Sequence, residues 1–293
     1  MVEHRFGGSW TERKLEALRE YLVQYRLIFT RHPAAAMLKT IYVDAFAGTG
    51  ERDTALTGPG PGLFGYDEEV HGFQEGSAYK ALSIEHPFHE YVFIERNASH
   101  AKALRNMVRS QFPALENRCA VHEVDANRWL QEWCRSQDWR GQRAVTFLDP
   151  YGMSVEWTTI EAIARTQAID LWVLFPFAIG AGRMMPRDYP PDGHWARKLT
   201  AIFGTDDWKS RFYGRSGDAD LFGDEGSIVR IAGADEILKY FIERLHSRFA
   251  GVVERPMILE NTRHTPMYAL CFAAGNPKGA PTAVRIAAHL TRP

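Results

Sequence analysis

Four acids stand where apolar runs give way to polar sequence, and their types and spacing could do chemistry. In "FLDPYG" (147–152), Asp149, Pro150, Tyr151 and Gly152 follow Ala144, Val145, Phe147 and Leu148 without a gap. An acid and an aromatic ring at the end of a buried strand can hold a flat, amino-bearing molecule; Pro-Tyr-Gly is also ordinary turn chemistry. "KTIYVDAFAGTG" (39–50) ends in the same manner. Its Asp44 precedes a loop with Gly48 and Gly50, residues that tolerate positive φ and let a ligand approach the backbone. Glu95 closes "EYVFIER" and Asp125 closes "CAVHEVDAN". Ligands on an open α/β sheet bind outside the carboxyl ends of the strands. Asp44 is then placed to meet a ligand ammonium, directly or through water. Glu95 is placed to accept from two ribose hydroxyls and Asp125 from an adenine amino group. The other reading of Asp125 is a cap on the helix that begins near Asn127. Together the acids describe a pocket for an adenosine with a cationic amino-acid tail.

A phosphate site fits less well. "GTGERD" lacks the Gly-Lys-Ser/Thr of a P-loop, and Asp53 occupies the third glycine position of a dinucleotide fingerprint. Glu51 and Asp53 would also repel a phosphate.

Alternating strands and helices must position these acids. Residues 9–29 read as a helix, with Thr11 as its cap and Lys14, Leu15, Leu18, Tyr21, Leu22, Tyr25 and Ile28 near helical spacing. Residues 51–75, rich in Gly, Pro and acids, read as a long mobile loop. A helix is expected at 76–85 with Ser77 as cap, then strand 90–96, helix 98–112, strand 119–127 and helix 128–137. Strand 143–152, helix 156–167 and strand 169–177 follow. This alternation predicts a parallel sheet covered on both faces. It weakens over 178–232, where one short helix is expected around His194–Phe203. Helix 234–249, strands 251–261 and 267–277 and helix 279–290 close the chain, the two late strands forming an antiparallel edge.

The 293 residues form one domain on this reading: an N-terminal helix (9–30), a ligand-binding half (39–177), a variable insertion (178–232) and a sheet-completing part (233–293). A net charge of −1 gives no global pull toward nucleic acid or membrane. Cations at 183, 187, 197, 198, 209, 211 and 215 are diluted by acids at 188, 192, 206, 207, 218 and 220, as on a solvated surface. Trp172, Phe175 and Phe177 read as core. His71, His86 and His89 lack metal-ligand spacing, and so do Cys119, Cys134 and Cys271, whose odd number suits a reducing compartment. With no apolar signal region at the start and no bilayer-length apolar run, the expectation is a soluble cytoplasmic protein.

"YVDAFAGTG" resembles the first motif of class I S-adenosylmethionine-dependent methyltransferases, in the D-x-F-A-G-x-G form of nucleic-acid base methyltransferases. "VTFLDPYG" resembles their fourth motif, [D/N]-P-P-[Y/F], with one proline missing. The pattern from about residue 10 to 290 is closer still to the three-Cys-motif partner family. It includes "KLEALREYL", the delayed "GSAYKALSI", "PFHEYVFIER" and the closing "YALCFAAGNPKG". The resemblance implies a Rossmann-like class I methyltransferase fold, with a mostly parallel seven-stranded sheet and an antiparallel edge. It implies S-adenosylmethionine as cofactor, held by Asp44, Phe46, Ala47, Gly48, Gly50, Glu95, Arg96, Asp125 and Ala126. Asp149, Pro150 and Tyr151 would be catalytic. The implied activity is methylation of a planar nitrogen substrate, a nucleic-acid base first and a heteroaromatic small molecule second. The family name implies another role, a methyltransferase-fold binding partner of a three-cysteine protein that transfers no methyl group itself.

Overall fold

Apolar runs of four to seven residues, separated by amphipathic helices, stack side by side into one twisted sheet. The computed structural model describes residues 9–48, 76–150, 152–215 and 227–292. Two helices, α1 (Ser9–Arg31) and the short α2 (Pro33–Ala36), precede β1 (Lys39–Asp44). Then come α3 (Ser77–Leu82), β2 (Glu90–Ile94), α4 (Ala98–Gln111), β3 (Cys119–His122), α5 (Ala126–Ser136), β4 (Gln142–Leu148), α6 (Trp157–Arg165) and β5 (Ile169–Phe175). The insertion holds α7 (Gly182–Met184), α8 (Gly193–Phe203), α9 (Trp208–Phe212), β6 (Tyr213–Arg215) and β7 (Ile228–Arg230). The chain closes with α10 (Ala234–His246), β8 (Gly251–Val252), β9 (Met257–Glu260), β10 (Pro266–Ala274) and α11 (Ala280–Leu290).

The main sheet runs β3-β2-β1-β4-β5-β10-β8, with β9 also on β10. Strands β1 to β5 are parallel; β10 is antiparallel to β5, and β8 and β9 are antiparallel to β10. This is the Rossmann-like, doubly wound α/β architecture. Seven lanes result among the described residues, the outermost divided between β8 and β9. The continuous strand expected at 251–261 is broken there, because Pro256 has no N–H for a ladder.

Side-chain alternation assigns the two faces. Tyr42, Tyr91, Phe93, Val145, Phe147, Trp172, Leu270 and Phe272 pack under α1, α3, α4 and α11. Ile41, Val43, Ile94, Leu148, Leu171, Val173 and Phe175 pack under α5, α6, α8, α9 and α10. Trp172, Phe175 and Phe177 are buried, as their sequence context indicates. Helix α1 crosses its face antiparallel to the strands and has three polar anchors. Lys14 pairs with Asp149, Tyr21 donates to Asp170 at 2.7 Å, and Arg26 donates to Thr40 at 2.7 Å.

Several boundaries differ from the sequence expectation. Helix α1 already includes Ser9, so Thr11 lies inside it and is not its cap. Gly76, and not Ser77, is the N-cap of α3. Strands β3 and β4 end five and four residues earlier than 127 and 152, because the acid-bearing tips leave the ladder. The 178–232 segment contains a two-stranded hairpin and helix α9 beyond the one expected helix. Thr49, Gly50, the 51–75 loop and Tyr151 lie outside the described residues. Among the described residues, no helix is long and apolar enough to cross a membrane.

Candidate active site at the carboxyl edge of the sheet

The strand order reverses between β1 and β4. Chain direction runs outward through β2 and β3 on one side, and through β5 on the other. Such a switch point opens a crevice at the carboxyl ends of the strands. Asp44 ends β1 and Asp149 follows β4 directly, so the crevice is flanked by two carboxylates.

Asp44 alternates with Tyr42 and therefore faces α1 and α3. It is fully buried. Its partners are the Tyr42 hydroxyl and the Phe46 N–H, each at 3.4 Å, and the Ser77 hydroxyl. Burial pushes the Asp44 carboxyl up to about 7. The Asp149 charge adds to the rise, while the hydrogen bonds from Ser77, Phe46 and Tyr42 oppose it. Ser77 thus does its work at the first turn of α3, as a donor to the acid and not as a helix cap.

Asp149 keeps the same facing as Phe147, two residues earlier. The Lys14 ammonium pairs with its Oδ2 and lies 5.9 Å from the centre of the Phe147 ring. The Lys14 side chain is only 5% exposed, against 25% for Asp149, so the pair sits beneath α1 with its acid end open. Sequence reasoning assigned Lys14 no role in the site. The available signal was its place on the apolar stripe of α1, since a lysine on a buried stripe needs a buried partner. Pro150 is buried, and Gly152 turns the chain with φ +63°. On the opposite face, Pro150 and Gly152 line a small apolar cavity with Val155, Val173, Phe175 and Phe241.

Glu95 joins the two adjacent tips. Its Oε2 accepts from Gly48 N–H at 3.0 Å and its Oε1 from Asn97 N–H at 2.7 Å. Ala47 N–H also donates to the Ile94 carbonyl at 3.1 Å. Gly48 has φ +58°, and among the described residues nothing lies within 4 Å of where a Cβ would stand. Phe46 is half-buried against the core and Ala47 is buried. Arg96 is exposed. Asp125 is the N-cap of α5, its Oδ1 accepting from Arg128 N–H at 3.0 Å; Ala126 is buried behind it. The capping reading of Asp125 is therefore the one with a partner in the structure. Asp44, Asp149, Gly48 and Glu95 cluster around the β1 and β4 tips and the neighbouring β2 tip. Arg96 and Asp125 lie outward, at the ends of β2 and β3.

The three cysteines are unpaired; Cys134 and Cys271 are buried, and burial raises all three thiols, Cys119 and Cys134 to about 12. They are core residues, without the lowered pKa of a nucleophile.

No protein-family model matches the chain, and no curated protein matches it. Among solved structures it is similar in outline to protein LPL1258 from Legionella pneumophila, with 11% identity, coverage of 97% of this chain and 91% of that one, and TM-score 0.46. It is also similar to Trm1 from Pyrococcus horikoshii in complex with S-adenosyl-L-methionine (12%, 94% and 72%, TM-score 0.38). A third is spermidine synthase from Thermotoga maritima (10%, 92% and 60%, TM-score 0.40). At these values no residue role passes from them to this chain, and the fold assignment rests on the strand order itself.

Proposed function

We propose that this protein is an S-adenosylmethionine-dependent N-methyltransferase acting on a planar, nitrogen-bearing substrate. The observation that carries the reading is the pair Asp44 and Asp149 on either side of the β1/β4 switch point, with the Gly48 turn tied to Glu95 beside them. The donor set suits the cofactor. The buried Asp44 carboxylate gains a counter-charge from a ligand ammonium. Gly48 leaves room for a ligand against the backbone. Glu95, already oriented by two amides, has remaining lone pairs for ribose hydroxyls. When bound, S-adenosylmethionine supplies an electrophilic methyl on a sulfonium.

The chain contributes position and exclusion of water. Lys14 engages Oδ2 of Asp149, so Oδ1 takes the target amine as donor, together with the Pro150 carbonyl. This aims the nitrogen lone pair. Tyr151 stacks on the substrate ring, worth roughly 1–3 kcal/mol if the acceptor is a base. A nucleic-acid base is the first substrate class and a heteroaromatic small molecule the second; a base within a duplex must be flipped out to reach the crevice. The alternative role, a binding partner of a three-cysteine protein with no methyl transfer, uses the same nucleoside pocket.

Calorimetry with S-adenosylmethionine and S-adenosylhomocysteine tests the pocket, with ATP and NAD as controls. Both sulfur nucleosides are expected to bind and the controls are not. Glu95→Ala should weaken binding by about 1–3 kcal/mol, because ribose donors lose their acceptor. Absence of heat with either sulfur nucleoside sinks the reading. Transfer of a tritiated methyl group to nucleic acid or to a small-molecule extract then separates enzyme from binding partner.

A further inference from the structure

We infer that Lys14, on the N-terminal helix, is a positioning residue of the active site: it fixes the Asp149 carboxylate, as its counter-ion, in the orientation that receives the substrate amine. The inference rests on the methyl-transfer reading and adds a residue from outside the parallel strands.

The geometry is specific. Asp149 stands just past the end of β4, on a turn whose Gly152 takes a positive φ, and strand pairing does not hold its side chain. Asp44 lies across the crevice and interacts electrostatically with Asp149 and with Tyr42. Two carboxylates facing one crevice repel each other and resist burial together. Lys14 is the cation that pairs with Asp149 there, and it approaches over the Phe147 ring from the direction of α1. A lysine in a core position costs rotamer entropy and desolvation. A helix anchor alone does not need that cost, because Tyr21 and Arg26 already tie α1 to the sheet. What Lys14 alone adds is a fixed direction for one carboxylate oxygen, with the other turned to the open side.

The groups facing the pair are Asp44 and Tyr42 from β1, Ser77 from the start of α3, and Phe147 from β4. Glu16 and Lys80, paired at 3.7 Å, form a separate bridge between α1 and α3. Among the described residues, loss of Lys14 leaves Asp149 with a like-charged neighbour and without the cation that pairs with it.

The test compares Lys14→Met, Lys14→Arg and Tyr21→Phe in the full-length protein, once the wild type has an identified methyl acceptor. Lys14→Met is expected to bind S-adenosylmethionine within about threefold of wild type and to lose 10- to 1,000-fold in kcat, as removal of an orienting group does. The loss should fall on kcat far more than on KM for the acceptor. Lys14→Arg, which keeps the charge, should recover part of that loss. Tyr21→Phe, which removes a different α1 anchor, should lower the melting temperature and keep kcat. If Lys14→Met does not fold, Lys14→Gln is read in the same way. A folded Lys14→Met or Lys14→Gln with wild-type kcat overturns the proposal and leaves the methyl-transfer reading standing. So does a kcat loss matched by Tyr21→Phe. A wild type that binds the cofactor but methylates nothing overturns both.

Discussion

Asp44 has no contact with solvent, so its charge depends on what lies within a few ångströms. Its carboxyl titrates near 7 in the folded protein against 3.8 in an unperturbed chain. The sign follows from proton counting. Between about pH 4 and pH 7 the folded state holds a proton that the unfolded state has released, so stability falls as pH rises through this window and levels off above it. Asp170, buried at the opposite edge and raised to about 6, acts in the same sense between about pH 4 and 6. Asp44→Asn removes the first contribution. Urea unfolding should find the variant more stable than wild type at pH 8, by about 1–3 kcal/mol, and nearly equal at pH 4. The same substitution should weaken cofactor binding, since the ligand ammonium loses its partner. A variant that is less stable at pH 8 would mean that Asp44 is held ionised by its neighbours. For Asp149 the expectation is kinetic. Asp149→Ala should leave cofactor affinity nearly unchanged and reduce turnover about 100-fold or more. Asp149→Asn, whose amide oxygen still accepts a hydrogen bond, should keep part of the activity. Wild-type turnover in Asp149→Ala would reduce the acid to a turn residue.

At the scale of elements, the placement of strands and helices was largely legible and the placement of side chains between them was not. Period-two and period-3.6 patterns identify β1 to β5 and their helices, because each buries one face or both. Strand ends were overextended at 127 and 152, since an apolar run does not reveal where its tip leaves the ladder. The β6–β7 hairpin was missed because three-residue strands carry no periodicity. Ser77 looked like a cap, and only the fold brings it to Asp44. Lys14 stood on the right stripe, but helical spacing cannot say which strand tip lies beneath a given turn. Close element packing gives its own test. A Cβ on Gly275 would stand 2.4 Å from the Ile169 carbonyl, where β10 meets the start of β5. Backbone cannot yield there as a flexible side chain could. Gly275→Ala is expected to destabilise the protein by about 1–3 kcal/mol, measured by thermal unfolding. An unchanged melting temperature would show that this end of β10 shifts freely.

For the whole molecule, the packing of α1 carries a consequence for synthesis on the ribosome. Its Tyr21 ring lies 4.9 Å from Phe272, and its apolar stripe shares a core with Ala280, Ala283 and Ala287 of α11. The full packing of α1 therefore waits for β10 and α11, which are synthesised much later. At translation speeds of about 5–20 residues per second, some 260 residues later means on the order of 13–50 s. Throughout that interval Leu15, Leu18, Tyr21 and Leu22 remain uncovered, a binding stretch for chaperones and a target for proteases. Stalled nascent chains ending near residue 250 should be cut within 9–31, and released full-length chains should resist. Equal resistance in both would mean that α1 docks on the parallel strands alone. If α1 does wait, Lys14 reaches Asp149 only after β10 and α11 have been made, and until then the nascent sheet lacks the ion pair at its carboxyl edge.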